Sequence, residues 1–286
     1  MTSEPADTTQ WECFDVNLDG GVAHVQLSRP DAYNSMVPAF WTELPALVRA
    51  LDEPGTTRVM VLSSTGKHFS AGMDLAVFTG DGGLGNAPGV TEPGRLSSNL
   101  WMLVQHLQAS FTALAEARFP VLAAVQGGCI GGAVDMVAAA DCRYASEDAF
   151  VCIQEINIGM TADVGTLQRL PKIIPEGVAR EWAFTGDRIP AARAREVGFF
   201  NDTFADHDTT VAETLAIAER IAAQSPLAIW GTKEAISYAR DHSTADALHQ
   251  IAGWQSGMFK PGDMMESFAA KGEGRPPGFE DLPPRP

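Results

Sequence analysis

Two glycine-rich turns, each set between a short apolar run and a helix-forming segment, restrict this chain to folds in which strands alternate with helices. The first is Gly66-Lys67-His68-Phe69-Ser70-Ala71-Gly72-Met73-Asp74-Leu75, preceded by Arg58 to Ser63. The second is Gly127-Gly128-Cys129-Ile130-Gly131-Gly132-Ala133-Val134-Asp135, preceded by Val121 to Val125. Further β-like runs at Val22 to Leu27 and Phe150 to Ile153, separated by longer helix-like segments, predict an α/β fold. Leu100, Val104, Leu107, Phe111 and Leu114 recur at helical spacing and predict an amphipathic helix over Ser97 to Ala117, with Pro120 as its boundary. Gly80 to Gly94 reads as a loop. After Asn201 strand signals stop, and helices are predicted over Val211 to Ala223, Leu227 to Arg240 and Thr244 to Met258, with an extended end from Gly272 to Pro286. The expected organisation is an α/β core over 1–200 and a helical region over 201–286. The latter is too small to hold a core alone, so it should pack on its own core or on a neighbouring subunit.

Charge narrows the partners. Twenty Lys and Arg against 36 Asp and Glu leave a formal charge of −16, which repels nucleic acid and anionic membrane surfaces. No apolar run approaches a membrane span, Met1 to Gln10 has neither a signal-peptide nor a transit-peptide pattern, and Leu282-Pro283-Pro284-Arg285-Pro286 is not a peroxisomal address. Cysteines 13, 129, 142 and 152 form no CxxC pair, and Cys129 and Cys152 sit in apolar stretches that suggest packing; a reduced, cytoplasmic setting is expected. No HExxH occurs, and His242 and His249 are too far apart to share a helical turn, so no metal site is expected.

The turns and three carboxylates carry the chemistry. Glycine lets a backbone approach a ligand, and the first N–H groups of a helix have no internal partner. Two such turns can aim Met73 N–H and Gly132 N–H at one developing oxyanion. Asp135, Glu155 and Asp163 follow at intervals of 20 and 8 residues and can carry protons. A dinucleotide fingerprint fails on spacing, because Cys129 and Ile130 stand where its second glycine belongs; a GxSxG elbow and a Walker A sequence are absent. Taken singly, each acid has a plainer role. Asp163 precedes a short helix-like run and would cap it, Glu155 would be a solvated loop residue, and Asp135 would sit on an exposed helix face. Against the last, Asp135 lies inside the apolar run Ala133 to Ala140, where an unpaired carboxylate is costly.

From about Val22 to about Lys271 the sequence resembles the crotonase (enoyl-CoA hydratase/isomerase) superfamily. Gln126 to Met136, Ala162-Asp163-Val164-Gly165-Thr166-Leu167-Gln168-Arg169-Leu170-Pro171 and Ser237-Tyr238-Ala239-Arg240-Asp241-His242-Ser243 are most similar to its dienoyl-CoA isomerase branch. The resemblance implies a crotonase-like spiral of ββα turns, a C-terminal helical region that builds homotrimers or hexamers, and an acyl-CoA thioester as substrate. CoA is then part of the substrate, and no cofactor or metal is implied. It places the oxyanion hole on Met73 and Gly132, the catalytic acids at Glu155, Asp163 and Asp135, and substrate contacts at Ala71, Gly72, Asp74, Leu75 and Gly131. Hydratases of the superfamily carry glutamates at the positions of Asp135 and Glu155 and a small residue at that of Asp163. The acid here points instead to isomerisation of a 3,5-dienoyl-CoA to its 2,4-isomer in fatty acid β-oxidation, with Glu155 and Asp163 serving C2 and C6 in an order the sequence leaves open. Ala133 stands where a third glycine is common. A 2-enoyl-CoA hydratase and a non-catalytic acyl-CoA binder are the alternatives.

Overall fold

A computed structural model describes residues 11–74, 77 and 89–286. The chain starts with strands β1 (Phe14–Asp19) and β2 (Val22–Leu27), an antiparallel hairpin closed by Gly20 and Gly21. Both glycines have positive φ, as the tight turn that matches strand twist requires. Helix α1 (Pro38–Asp52) carries the chain over to β3 (Val59–Ser64), parallel to β2, and α2 (Pro93–Glu116) carries it to β4 (Val121–Val125), parallel to β3. A short strand β5 (Gly128–Ile130) and helix α3 (Gly132–Ala139) follow, then β6 (Cys142–Ser146) and β7 (Phe150–Cys152).

Strands β5 and β7, with β8 (Ile189–Pro190), form a second sheet beside the main one. The main sheet runs β1-β2-β3-β4-β6-β9, with β9 spanning Asp202–Phe204. Between β7 and β9 lie a one-turn helix α4 (Thr166–Arg169), α5 (Glu176–Thr185) and α6 (Ala191–Glu196). Four helices end the chain: α7 (His207–Ala222), α8 (Pro226–Asp241), α9 (Thr244–Met258) and α10 (Pro261–Glu273).

Strand β3 is buried on both faces, which accounts for its unbroken apolar run. Met60 and Leu62 join the main core with Phe40, Leu44, Phe111 and Leu114 from α1 and α2. Val59 and Val61 face the opposite way, against Leu122, Ala218 and Ala222, so α7 covers the outer side of the sheet. The expectation that strands end at Asn201 is corrected by β9, which pairs with β6 through Asp202 to Phe204. Three residues at a sheet edge are too few to show an alternating pattern. The amphipathic helix begins at Pro93, four residues before the predicted start at Ser97, because Glu92 accepts hydrogen bonds from the N–H groups of Gly94 and Arg95. Cys129 and Cys152 are buried, as their apolar settings suggest.

Beyond Glu273 the chain is extended and crosses back over the core. Arg58 binds the Phe279 carbonyl at 2.6 Å and Asp281 at 2.8 Å, Leu282 N–H donates to Gly55 O, and Arg118 donates to Pro283 O at 2.8 Å. Asp52, with its side chain 8% exposed, accepts from Arg118 Nε on one oxygen and from Arg285 Nε on the other, both at 2.8 Å. Removing one partner of a buried ion pair strands the other, at about 3–5 kcal/mol. Asp52→Ala is therefore expected to lower the urea-unfolding free energy by about that amount, and a loss below about 1 kcal/mol, the scale of a surface pair, would contradict a buried latch.

Candidate active site

The two glycine-rich turns leave neighbouring strands at the same end of the main sheet and join there. Ser70 N–H donates to Gly128 O and Ile130 N–H to Ser70 O, each at 3.1 Å, a parallel bridge between Ser70 and Cys129. One step further the first turn pairs with residue 36: Met36 N–H donates to Gly72 O at 2.8 Å and Asp74 N–H to Met36 O at 3.2 Å. These bonds consume the groups on either side of Met73 N–H, which has no partner among the described residues. Gly132 N–H, at the first position of α3, has none either.

The free donors are neighbours. A Cβ built on Gly132 would stand 3.8 Å from Met73 N, and one on Gly72 would stand 3.1 Å from Gly132 N and 2.5 Å from Ile130 O. Gly72, at φ +81°, admits no side chain between the turns. Met73 was expected to open a helix; the structure places it instead in an isolated bridge to Met36, since its register is set by pairing with that residue. Of the other expected contacts, Ala71 is exposed with its N–H on Tyr33 O, Asp74 accepts from Ser35 Oγ at 2.8 Å, and Gly131 donates to Cys152 O at 2.9 Å. Leu75 and residues 80–88 of the glycine-rich loop lie outside the described residues.

The three acids come from three elements. Asp135, in the first turn of α3, is fully buried, which removes the reading of an exposed helix face. Its Oδ1 accepts from Thr166 N–H at 2.5 Å, while Oδ2 has no partner among the described residues. Burial first, and the charge of Glu155 second, push this carboxyl up to about 7. An unpartnered buried carboxylate oxygen fits the protonated form. Glu155 does not simply follow β7 but sits in a one-turn 3-10 helix, Gln154–Ile158, where its Oε1 comes within 3.2 Å of the space a Cβ on Gly131 would fill. Burial raises its pKa, and so does the charge of Asp163. Asp163, half-buried, is raised chiefly by burial.

Capping does not explain Asp163. The residue before α4 is Gly165, with no side-chain cap, and the first helical N–H, that of Thr166, is taken by Asp135 from the neighbouring helix. The backbone carbonyl of Asp163 accepts from Gln108 Nε2 at 2.7 Å, so α2 holds the loop. Arg169 is the cation in this corner: its guanidinium lies against Gly165 and donates to Thr112 Oγ1, and the charge of Asp135 favours its ionised form against a larger effect of burial. Thr166, Arg169 and Gln108 escaped the sequence reading. The first two lie in the same run as Asp163, at three-residue intervals, but nothing local shows that they face α3. Gln108 reads as a polar position beside an apolar stripe.

The family described as Enoyl-CoA hydratase/isomerase matches residues 17–282. The chain is 38% identical over 255 residues to the mitochondrial Δ(3,5)-Δ(2,4)-dienoyl-CoA isomerase of Homo sapiens, covering 89% of this chain and 77% of that one. It is 36% identical over 285 residues to the peroxisomal Δ(3,5)-Δ(2,4)-dienoyl-CoA isomerase of Arabidopsis thaliana, covering 99% and 100%. Among solved structures, an enoyl-CoA hydratase from Mycobacterium tuberculosis H37Rv superposes with a TM-score of 0.78 at 30% identity over 94% of this chain and 99% of that one. The expectation of a cytoplasmic setting is overturned, since these isomerases are named for mitochondria and peroxisomes. Cysteine usage and charge report redox conditions and solubility, which such compartments share with the cytoplasm.

The buried position of Asp135 makes a pH prediction. A carboxyl raised in the folded state from 3.8 to about 7 favours folding below pH 4, and that contribution is lost as pH rises through about 7. Asp135→Asn keeps the oxygen that meets Thr166 N–H but does not ionise. Its stability relative to the parent should therefore climb between about pH 4 and 7, by at most about 4 kcal/mol. Parallel stability curves for the two proteins across that range, measured by denaturant unfolding, would show that Asp135 is not raised.

Proposed function

We propose that this chain, which belongs to the enoyl-CoA hydratase/isomerase family, converts a 3,5-dienoyl-CoA to the 2,4-dienoyl-CoA within fatty acid β-oxidation. The observation that carries this reading is one corner of the fold in which two backbone N–H groups without a partner among the described residues stand beside three acids whose pKa values burial raises. Removing a proton from C2 of the substrate delocalises charge from the thioester oxygen to C6. Met73 N–H and Gly132 N–H hold that oxygen as charge grows on it, an interaction stronger in the transition state than in the bound substrate. Returning a proton at C6 gives the 2,4-diene and leaves the total proton count unchanged.

Two exchange points several bonds apart require two acid/base groups, and Glu155 and Asp163, eight residues apart on adjoining loops, supply them. Their raised pKa values bring them nearer the pH at which proton exchange is efficient. Asp135, deeper and bonded to Thr166 N–H, tunes Glu155 through its charge state. Ala71, Gly72, Asp74 and Gly131 border the thioester. C6 gains the proton that C2 loses, so the isomerisation is redox-neutral as a whole and the chemistry asks for no cofactor beyond the CoA carried by the substrate.

Asp163→Asn decides the role of that acid. Asparagine cannot exchange a proton, so diene absorbance from a 3,5-dienoyl-CoA should form about 10²-fold more slowly or worse, with the thermal midpoint little changed. Parental turnover would remove Asp163 from the chemistry. In the same assay, consumption of a 2-enoyl-CoA by the parent would favour a hydratase, and silence with both substrates a binder.

We infer a homo-oligomer, and the exposed apolar surface supports it. Leu248, Met258, Phe259, Met265 and Phe268 are exposed on α9, at its end and on α10, an apolar area that a second copy of the chain can cover as a homotrimer or hexamer. Light scattering at micromolar concentration should report that mass, and a monomer alone would contradict it.

A further inference from the structure

Asn34 is 2% exposed and holds a left-handed backbone, φ +51°, directly after Tyr33 at the same angle. Such a conformation is strained for most side chains and best borne by asparagine or glycine. All of its hydrogen-bonding groups at the turn are used. Oδ1 accepts from Arg29 N–H at 2.9 Å, and Nδ2 donates to Thr65 O at 2.9 Å and to His68 O at 3.1 Å. Its own carbonyl accepts from Ser70 Oγ at 2.8 Å, and Ser70 Oγ in turn accepts from Gly72 N–H at 3.1 Å. On either side, Tyr33 O takes Ala71 N–H and Met36 N–H takes Gly72 O. Residues 33–36 thus grip the first turn at five points between Thr65 and Gly72.

The peptide between Gly72 and Met73 is planar and trans, so its N–H points opposite to its carbonyl. Met36 draws the Gly72 carbonyl to one side, which turns Met73 N–H to the other. The Asn34–Ser70 relay fixes Gly72 from its N–H end, and the remaining rotation is removed. We propose that Asn34, acting through Ser70 Oγ, is a positioning residue for the reaction: it sets the direction of Met73 N–H toward the thioester oxygen. This rests on the reading of Met73 and Gly132 as the oxyanion donors. The same Ser70 pairs through its backbone with Gly128 and Ile130, so one residue relates the first donor to the strand that leads to the second.

The test uses Asn34→Gly, which keeps access to the left-handed backbone without the side chain, and Ser70→Ala, which removes only the hydroxyl. Both are assayed as full-length protein for kcat and KM with a 3,5-dienoyl-CoA, and for the infrared C=O stretch of a bound saturated acyl-CoA. Loss of aim at the oxyanion weakens transition-state more than ground-state binding, and an effect carried through Ser70 Oγ is lost with that hydroxyl, so kcat should fall roughly tenfold or more for Asn34→Gly and at least as much for Ser70→Ala, with KM within about threefold. The carbonyl stretch should move toward its value in water. A purely structural part would lower the thermal midpoint and leave kcat per folded molecule and the stretch as in the parent; that result overturns the proposal. Should Asn34→Gly fail to fold, Ser70→Ala with parental kcat and stretch overturns it equally. Gly132→Val separates the premise: parental turnover and stretch in that variant remove the donor reading and this inference with it, whereas an inactive Gly132→Val beside a fully active Ser70→Ala rejects the inference alone.

Discussion

The parallel bridge between Ser70 and Cys129 is the contact on which the site depends. Strands β3 and β4 run side by side, with Met60 opposite Val121, so the turns that follow them emerge next to each other. Adjacency is not yet alignment. The two bonds of the bridge lock the first turn to the second at one register, and only then do Met73 N–H and Gly132 N–H stand close enough to act on one atom. Both donors belong to backbone outside the strands, so this pairing, together with the Met36 bridge to Met73 and the bond from Gly131 N–H to Cys152 O, sets where they stand. Strand order, crossover helices and the all-round burial of β3 can be seen as the means of delivering two turns to one place.

Around the donors the fold accepts an electrostatic cost. Burial raises the proton affinity of all three carboxylates in this corner, the charges of Glu155 and Asp163 add to the effect on Asp135, and that of Asp163 adds to the effect on Glu155. Asp135 receives one backbone N–H and leaves its other oxygen unpartnered among the described residues. Arg169 offsets part of the charge from beyond Gly165 without forming an ion pair with any of the three. Groups held in this state are poor for stability and suited to exchanging protons near neutrality.

Much of this was legible in the sequence, for reasons that also mark the limits. Strands β2 and β4 have the boundaries their patterns predict because each buries an apolar run, and helix α9 has its predicted boundaries although it has no buried residue. Strand β9 was missed because its partners, on β6, are more than fifty residues away and its own three residues carry no period. The acids were found as a set, since proton chemistry narrows residue types and the apolar setting of Asp135 already advertised its burial. Their partners were not found. That Thr166 N–H is bound by Asp135, or that Asn34 reaches Thr65 and His68, depends on how helices and turns meet in space, and polar residues of this kind have ordinary surface roles in a one-dimensional reading.

The returning C-terminal segment links residues 283–285 to the first half of the chain, since Arg285 meets Asp52 across 233 positions and Pro283 meets Arg118 across 165. A ribosome adding about 5–20 residues per second needs roughly 10–50 s to cover the longer of those distances. Until then Asp52 lacks Arg285, Arg118 lacks the Pro283 carbonyl, and Gly55 O lacks the N–H it later receives from Leu282. This side of the molecule is therefore completed only after residues 279–285 have been added, which makes the order of synthesis itself part of how the fold is closed.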